Sequence, residues 1–169
     1  MVSFEDHLSL FNLSLEELEQ LQEGTTLKKF NADEAWKLGC LTRVLAIELF
    51  PKQSLVIDIT LASGQVLFHT SSGSGTAVDN DEWVNRKKKV VLRIGKPSFM
   101  VGQKLRMKKM TMEESLGISS MEYASHGGSV PIKIDGFDNL IGALTVSGLP
   151  QGQDHLLATT ALKKFRDLQ

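Results

Sequence analysis

The stretch His126-Gly-Gly-Ser-Val-Pro-Ile-Lys-Ile134, the turn Asp135-Gly-Phe-Asp-Asn139 and the return Leu140-Ile-Gly-Ala-Leu-Thr-Val-Ser147 decide the fold. Two apolar, β-branched runs flank a cluster of turn residues, the pattern of an antiparallel hairpin. A second such unit stands upstream, in Leu55-Val-Ile-Asp-Ile-Thr-Leu61, the turn Ala62-Ser-Gly64 and Gln65-Val-Leu-Phe-His-Thr70. Thr25 to Phe30 reads as one more short strand. Tight turns between paired strands predict an antiparallel sheet rather than one built by helical crossovers.

Helical patterns surround these strands. Leu15, Leu18 and Leu21 recur at helical spacing among acids, Ser14 with Glu17 makes a capping box, and Gly24 ends the element. Asn31 with Glu34 reads as a second capping box, opening a helix to about Phe50, where Pro51 forbids continuation. Asp79 or Asn80 is expected to cap a helix reaching about Gly95. Pro97-Ser98 breaks it, and Phe99, Val101 and Leu105 continue as a shorter helix. Residues 108–125 read as short helical turns, and Gln151 to Leu168 as a closing amphipathic helix. The expected architecture is α+β, with a central antiparallel sheet of about five strands flanked by helices on both sides. Residues 1–24 form an acidic helical extension, and 25–169 one domain.

Bulk composition bounds the function. A chain of 169 residues, 41% hydrophobic and 23% charged, suits one globular domain with a real core. A net charge of −1 and a basic cluster without interleaved aromatics argue against nucleic-acid binding. No basic-then-apolar leader opens the chain, and no apolar run reaches the roughly 18 residues that span a bilayer, so no membrane partner is expected. One cysteine, Cys40, excludes an internal disulfide framework and reads as an inert core thiol. The expected setting is the reduced cytoplasm, with the nucleus open as well.

The candidate ligand site gathers at the strand ends. Gly127 and Gly128 permit unusual backbone and close approach, so a packing turn and an anion cradle are both open readings. Ser147-Gly148-Leu149-Pro150 hands the last strand to the last helix, whose N-terminus attracts anions. Asp154 there reads as stabilising the helix start. Ser147 lacks the Gly-x-Ser-x-Gly setting of an activated nucleophile, so catalysis is the less expected role. Ten cations lie between Glu82 and Glu113 with no acid among them. Around residues 86–89 every side of a helix is charged, so at least one cation must face the protein. Arg86 and Arg93, seven residues apart and flanking Val90, are the candidate inward anion-binding pair. Lys87 to Lys89 read as a solvated face. The acidic segment 13–23 is a natural electrostatic partner of this cluster, within the chain or across a dimer. His69, His126 and His155 match no zinc spacing, which leaves His126 and His155 as weak metal candidates.

Several motifs in order carry a family resemblance: Gly127-Gly-x-x-Pro131-Ile, Ile141-Gly-Ala-x-x-Val146-Ser-Gly, Asp79-Asn-Asp-Glu-Trp83-Val-x-Arg86-Lys, Ser98-Phe99, Tyr123-Ala-x-His126-Gly-Gly and Gly148-Leu-Pro150-x-x-x-Asp154-His155. Over roughly residues 30 to 165 the chain resembles the haem-degrading-domain family, the HbpS/GlcG-like proteins, in a branch of small bacterial and fungal members. The resemblance implies a sheet of about five antiparallel strands with helices on both sides, and homo-oligomers from dimers to larger rings. Some relatives bind haem or iron. This chain departs from the haem-binding relatives, since Leu144-Thr145 replaces the small pair common there before Val-Ser-Gly, and it has no Cys-Pro or His-x-x-Glu pattern. The expectation is therefore a cytoplasmic homo-oligomer without a cofactor, whose pocket of Arg86, Arg93, His126, Gly127, Gly128 and Ser147 takes a small anionic ligand. The alternatives are a scaffold that recruits a cytosolic protein partner in a stress or chaperone pathway, and a haem- or metal-binding protein.

Overall fold

The computed structural model describes residues 2–169. A 3-10 turn at His7–Asn12 and helix α1 (Leu15–Gln20) lead into the long helix α2 (Ala32–Leu49). Strands β1 (Val56–Leu61) and β2 (Val66–Ser71) follow, then helices α3 (Val78–Ile94), α4 (Ser98–Lys108) and α5 (Met112–Leu116). Strands β3 (Ser129–Ile132) and β4 (Gly142–Ser147) and helix α6 (Gln151–Asp167) complete the chain. The sheet is antiparallel throughout, in the order β2-β1-β4-β3.

The sheet has four strands rather than about five. The segment expected as a strand at Thr25–Phe30 supplies one bridge only: Leu27 donates to Lys133 O and accepts from Asp135 N–H, beside Ile134. The next amide, Lys28 N–H, points the other way, to the Gln169 side chain, and no second bridge follows among the described residues. Two helix starts also differ from the sequence reading. Asn31 does accept from Glu34 N–H, but the Glu34 carboxylate turns to Lys37 and Gln169 rather than closing a capping box. Helix α3 begins at Val78, and Asn80 Oδ1 accepts from Ala77 N–H, one residue before the helix. The box at Ser14 and Glu17 forms as read, and another forms at Thr111 and Glu114.

Strand alternation gives the sheet two unlike faces. Ile57, Ile59, Phe68, Val130, Ile132, Leu144 and Val146 share one core with α2 and α6 residues including Leu38, Leu45, Leu157 and Leu162. The alternate positions form a polar row in register across the strands: His69 opposite Asp58, Asp58 opposite Thr145, Thr145 opposite Ser129. Ser129 and Thr145 hydroxyls meet at 2.8 Å. Lys88 of α3 reaches Asp58 and Thr60, and His69 bridges Asp58 and Asp81 at 3.0 Å to each. Helix α3 therefore sits over a hydrogen-bonded layer, each member of which needs its partners.

The N-terminal segment belongs to a second small core, where Leu10 and Leu18 pack with Phe99, Met100 and Leu156. Glu19 pairs with Lys96 and Gln103 donates to Phe11 and Leu13 carbonyls, so the acidic helix meets part of the basic cluster within its own chain. No helix among the described residues is long and apolar enough to cross a membrane.

Candidate functional site

A cleft of about 320 Å³ opens where the end of β4 meets the starts of α3 and α6. Asp79, Asn80, Trp83 and Lys87 come from α3, His126 from the loop before β3, Ser147 to Leu149 from the end of β4, and Gln151 and Asp154 from α6. Its floor is an ion pair. Lys87 Nζ lies 2.8 Å from Asp154 Oδ2, with Lys87 3% and Asp154 1% exposed. The same ammonium donates to Val146 O at 3.2 Å and Ser147 Oγ at 3.3 Å, and Asp154 Oδ1 accepts from Leu149 N–H at 3.1 Å. Removal from water pushes the Asp154 carboxyl above its ordinary range, while Lys87 and the Leu149 and Gly148 amides pull it back.

Helix register explains the burial of Lys87. Val84, Lys87 and Val91 lie at i, i+3 and i+7, on the side of α3 that faces the sheet, and all three are buried. The sequence reading recognised that one cation in this run must face inward but placed Lys87 in the solvated face. The Val84–Lys87–Val91 spacing is the signal that identifies it. Asp154, expected to stabilise the helix start, does accept a backbone N–H there, and its main partner is Lys87.

The expected site residues divide. His126 and Ser147 line the cleft. Gly127 and Gly128 are buried behind it, held by backbone rather than open to a ligand: a Cβ on Gly127 would stand 2.2 Å from Gln151 O, and one on Gly128, at φ 128°, would stand 2.3 Å from Val146 O. Gly127 N–H donates to Gln151 Oε1. Arg86 lies just beyond the rim, stacked 4.7 Å over Trp83 and donating to Ser120 O, while Trp83 meets the His126 ring edge-on at 4.9 Å. Arg93 is exposed at the far end of α3 over Tyr123 and is not part of the cleft. The two arginines thus do not converge, because seven residues of helix separate them by about 10 Å along the axis. Partial desolvation, then the charges of Lys87, Arg86 and Arg106, hold the largely exposed His126 imidazole below its ordinary pKa.

His155 does not join His126. It stacks on Phe99 at 5.1 Å in the second core, with Nε2 facing the Gln22 amide. His69 is engaged with Asp58 and Asp81, and no group of three metal-ligating residues forms among the described residues.

Burial pushes the His155 imidazole down to about 4 from the usual 6.5. The unfolded chain therefore takes up a proton below pH 6.5 that the folded chain refuses until about 4. The His155 contribution to stability should be flat above pH 6.5 and fall by roughly 3 kcal/mol between 6.5 and 4. Urea midpoints at pH 7.5 and 4.5, compared between wild type and His155→Phe, measure it. The variant should lose less stability than the wild type over that interval, and equal losses would assign the slope elsewhere.

All three Lys87 protons are committed, so the amine donates to Ser147 rather than receiving its proton. The nearby Ser–Lys contact therefore lacks the base that activates a serine nucleophile. Neutral donors line the cleft: the buried Ser147 hydroxyl and the side-chain amides of Asn80 and Gln151.

Comparison with known proteins places this arrangement among relatives. Residues 30–163 match the family model described as haem degrading protein HbpS-like. The UPF0303 protein YBR137W of Saccharomyces cerevisiae is 41% identical over 160 residues, covering 95% of this chain and 88% of the relative. A UPF0303 protein of Streptomyces coelicolor is 44% identical over 149 residues, covering 88% and 91%. The crystal structure of the Ybr137w protein superposes with a TM-score of 0.93 at 38% identity, over 99% of this chain and 97% of that one. A PduOC–haem complex shares the fold at a TM-score of 0.66 and 18% identity, over 79% of this chain and 92% of that one.

Proposed function

The chain belongs to the HbpS-like family, and within it we propose a homo-oligomeric binding protein that holds a small anionic ligand in the cleft above Lys87 and Asp154. The observation that carries this reading is the buried ion pair on the cleft floor. Burying two charges costs several kcal/mol per ion, and apolar residues of equal volume often give a fold as stable, so such a pair is weak as a stability device. Buried charges in a cleft are the usual mark of a functional site. Asp154 is spent on Lys87 and Leu149 N–H, while the Ser147, Asn80 and Gln151 donors and the starts of α3 and α6 face the cleft. A carboxylate or phosphate meets neutral donors there, with Arg86 just beyond the rim as the nearby cation and the Asp79 carboxylate of the lining opposing it.

Haem does not fit this residue set. A PduOC relative is known in complex with haem, and His126 is the one available axial ligand beside the cleft. Yet the lining is polar, and the volume lies at the bottom of the ~300–1,000 Å³ range of small-molecule sites. A metabolite of modest size is the better match. The reduced cytoplasm remains the proposed setting.

Titration with acetate and with inorganic phosphate, followed by backbone amide shifts, tests the reading. Saturable shifts are expected at His126–Gly128 and at Ser147–Asp154, and Arg93→Ala should leave them unchanged. Shifts centred on Tyr123 and Arg93, or none at all, would overturn it.

A further inference from the structure

We infer that the small cavity between helix α6 and the N-terminal segment is a second ligand site, separate from the cleft, and that it takes a short aliphatic carboxylate. The cavity holds about 180 Å³, and His155 and Thr159 are among the residues that line it. Both are buried, at 0% and 5% exposure. Each carries a buried polar atom with no hydrogen-bond partner among the described residues, His155 Nδ1 and Thr159 Oγ1. A buried donor or acceptor left unpaired forfeits its contact with water for nothing, so folds pair nearly all of them. Two such atoms, one helical turn apart on residues that line one cavity, point to a group that enters it.

The walls define the chemistry of that group. Burial holds the His155 ring neutral at pH 7, so one of its nitrogens carries a proton and the other a lone pair. Gln22 Nε2 faces the ring Nε2 at 3.4 Å, which makes that nitrogen the acceptor and leaves the proton on Nδ1. Nδ1–H and the Thr159 hydroxyl are then two unengaged donors. Lys163 adds a cation: residues 155, 159 and 163 lie at i, i+4 and i+8 of α6, and helix side chains lean back toward the N-terminus, along that row. Lys164 is a second cation of the lining, and the Asp167 carboxylate opposes the pair. Val2, Leu21 and Leu156 form an apolar wall. A carboxylate head meets two donors and an ammonium, and a short aliphatic tail lies against that wall. Val2 and Leu21 precede residues 30–163 of the family match, so the N-terminal extension helps to build this site.

Titration of the full chain with butyrate at pH 7, followed by backbone amide shifts, tests this. Saturable shifts are expected at Leu21–Gln22 and at Leu156–Lys164. Acetate should bind there roughly tenfold more weakly, because two fewer methylenes leave water. Thr159→Val removes the hydroxyl at nearly constant volume and should weaken butyrate by about tenfold or more. The same change should raise the urea midpoint of the ligand-free chain, since an unpaired buried hydroxyl is gone. Lys163→Met, at a half-buried position, should weaken butyrate several-fold. No butyrate shifts at Leu156–Lys164, or Thr159→Val and Lys163→Met variants that bind as the wild type does, would overturn this site without touching the cleft. A lowered midpoint in Thr159→Val would assign the hydroxyl to the fold or to an ordered water, and would overturn it too.

Discussion

Replacing Lys87 by Met should destabilise the fold by roughly 3–5 kcal/mol, because it leaves the Asp154 carboxylate buried without its cation. Asp154 is 1% exposed, and its remaining partners are the Leu149 and Gly148 amides. The carboxyl escapes the penalty by taking a proton. Its pKa, already raised by burial, rises further once Lys87 is gone. A group whose folded pKa exceeds its unfolded value costs stability as pH climbs through the interval between them, so the deficit of Lys87→Met should shrink toward acid pH. The double variant Lys87→Met/Asp154→Leu removes both charges and should recover most of the loss. Urea unfolding of the three proteins at pH 7 measures the set. A single variant within about 1 kcal/mol of wild type would mean the pair is not desolvated as described.

Gly128→Ala should cost on the order of 4 kcal/mol, the sum of a strained backbone and an overpacked contact. The position has φ 128°, and the added Cβ would stand 2.3 Å from Val146 O, 2.9 Å from Lys87 Nζ and 3.0 Å from Asp154 Cβ. The intruding methyl therefore presses on both members of the ion pair and on the sheet backbone, and Val146 O and Asp154 Cβ cannot swing aside as a chain tip can. Gly136→Ala is the control, since it also has positive φ but nothing within 4 Å of the new Cβ. It should cost only about 1 kcal/mol. Thermal unfolding of the two variants separates close packing from backbone preference. Equal losses would show that the glycine beside the ion pair is there for its conformation alone.

The legible part of this chain was its local chemistry. Alternation in Val56–Leu61 and Gly142–Ser147 and the turn residues between runs specify two hairpins, and the structure has both. What the pattern cannot carry is the pairing of a lone segment. Thr25–Phe30 has strand-like residues but bonds the sheet at Leu27 only, and its next amide is held by Gln169, 141 residues away in sequence. The site was half legible for the same reason. His126 and Ser147 stand beside glycines that announce a special place, and both line the cleft. Lys87 hides in a run of four cations, where charge suggests solvent, and only its register with Val84 and Val91 betrays it. Arg93 shares a nominal face with Arg86, but a straight helix carries it beyond reach of the cleft.

The polar floor beneath the cleft is what the anion is expected to need, and the anion titration repeated on Lys87→Met/Asp154→Leu addresses it directly. This variant keeps the volume of the ion pair and should stay folded, so its amide spectrum reports binding without the confusion of unfolding. The prediction is that acetate and phosphate shift His126–Gly128 and Ser147–Asp154 in the wild type and leave those amides still in the double variant. Equal saturable shifts in both proteins would contradict it.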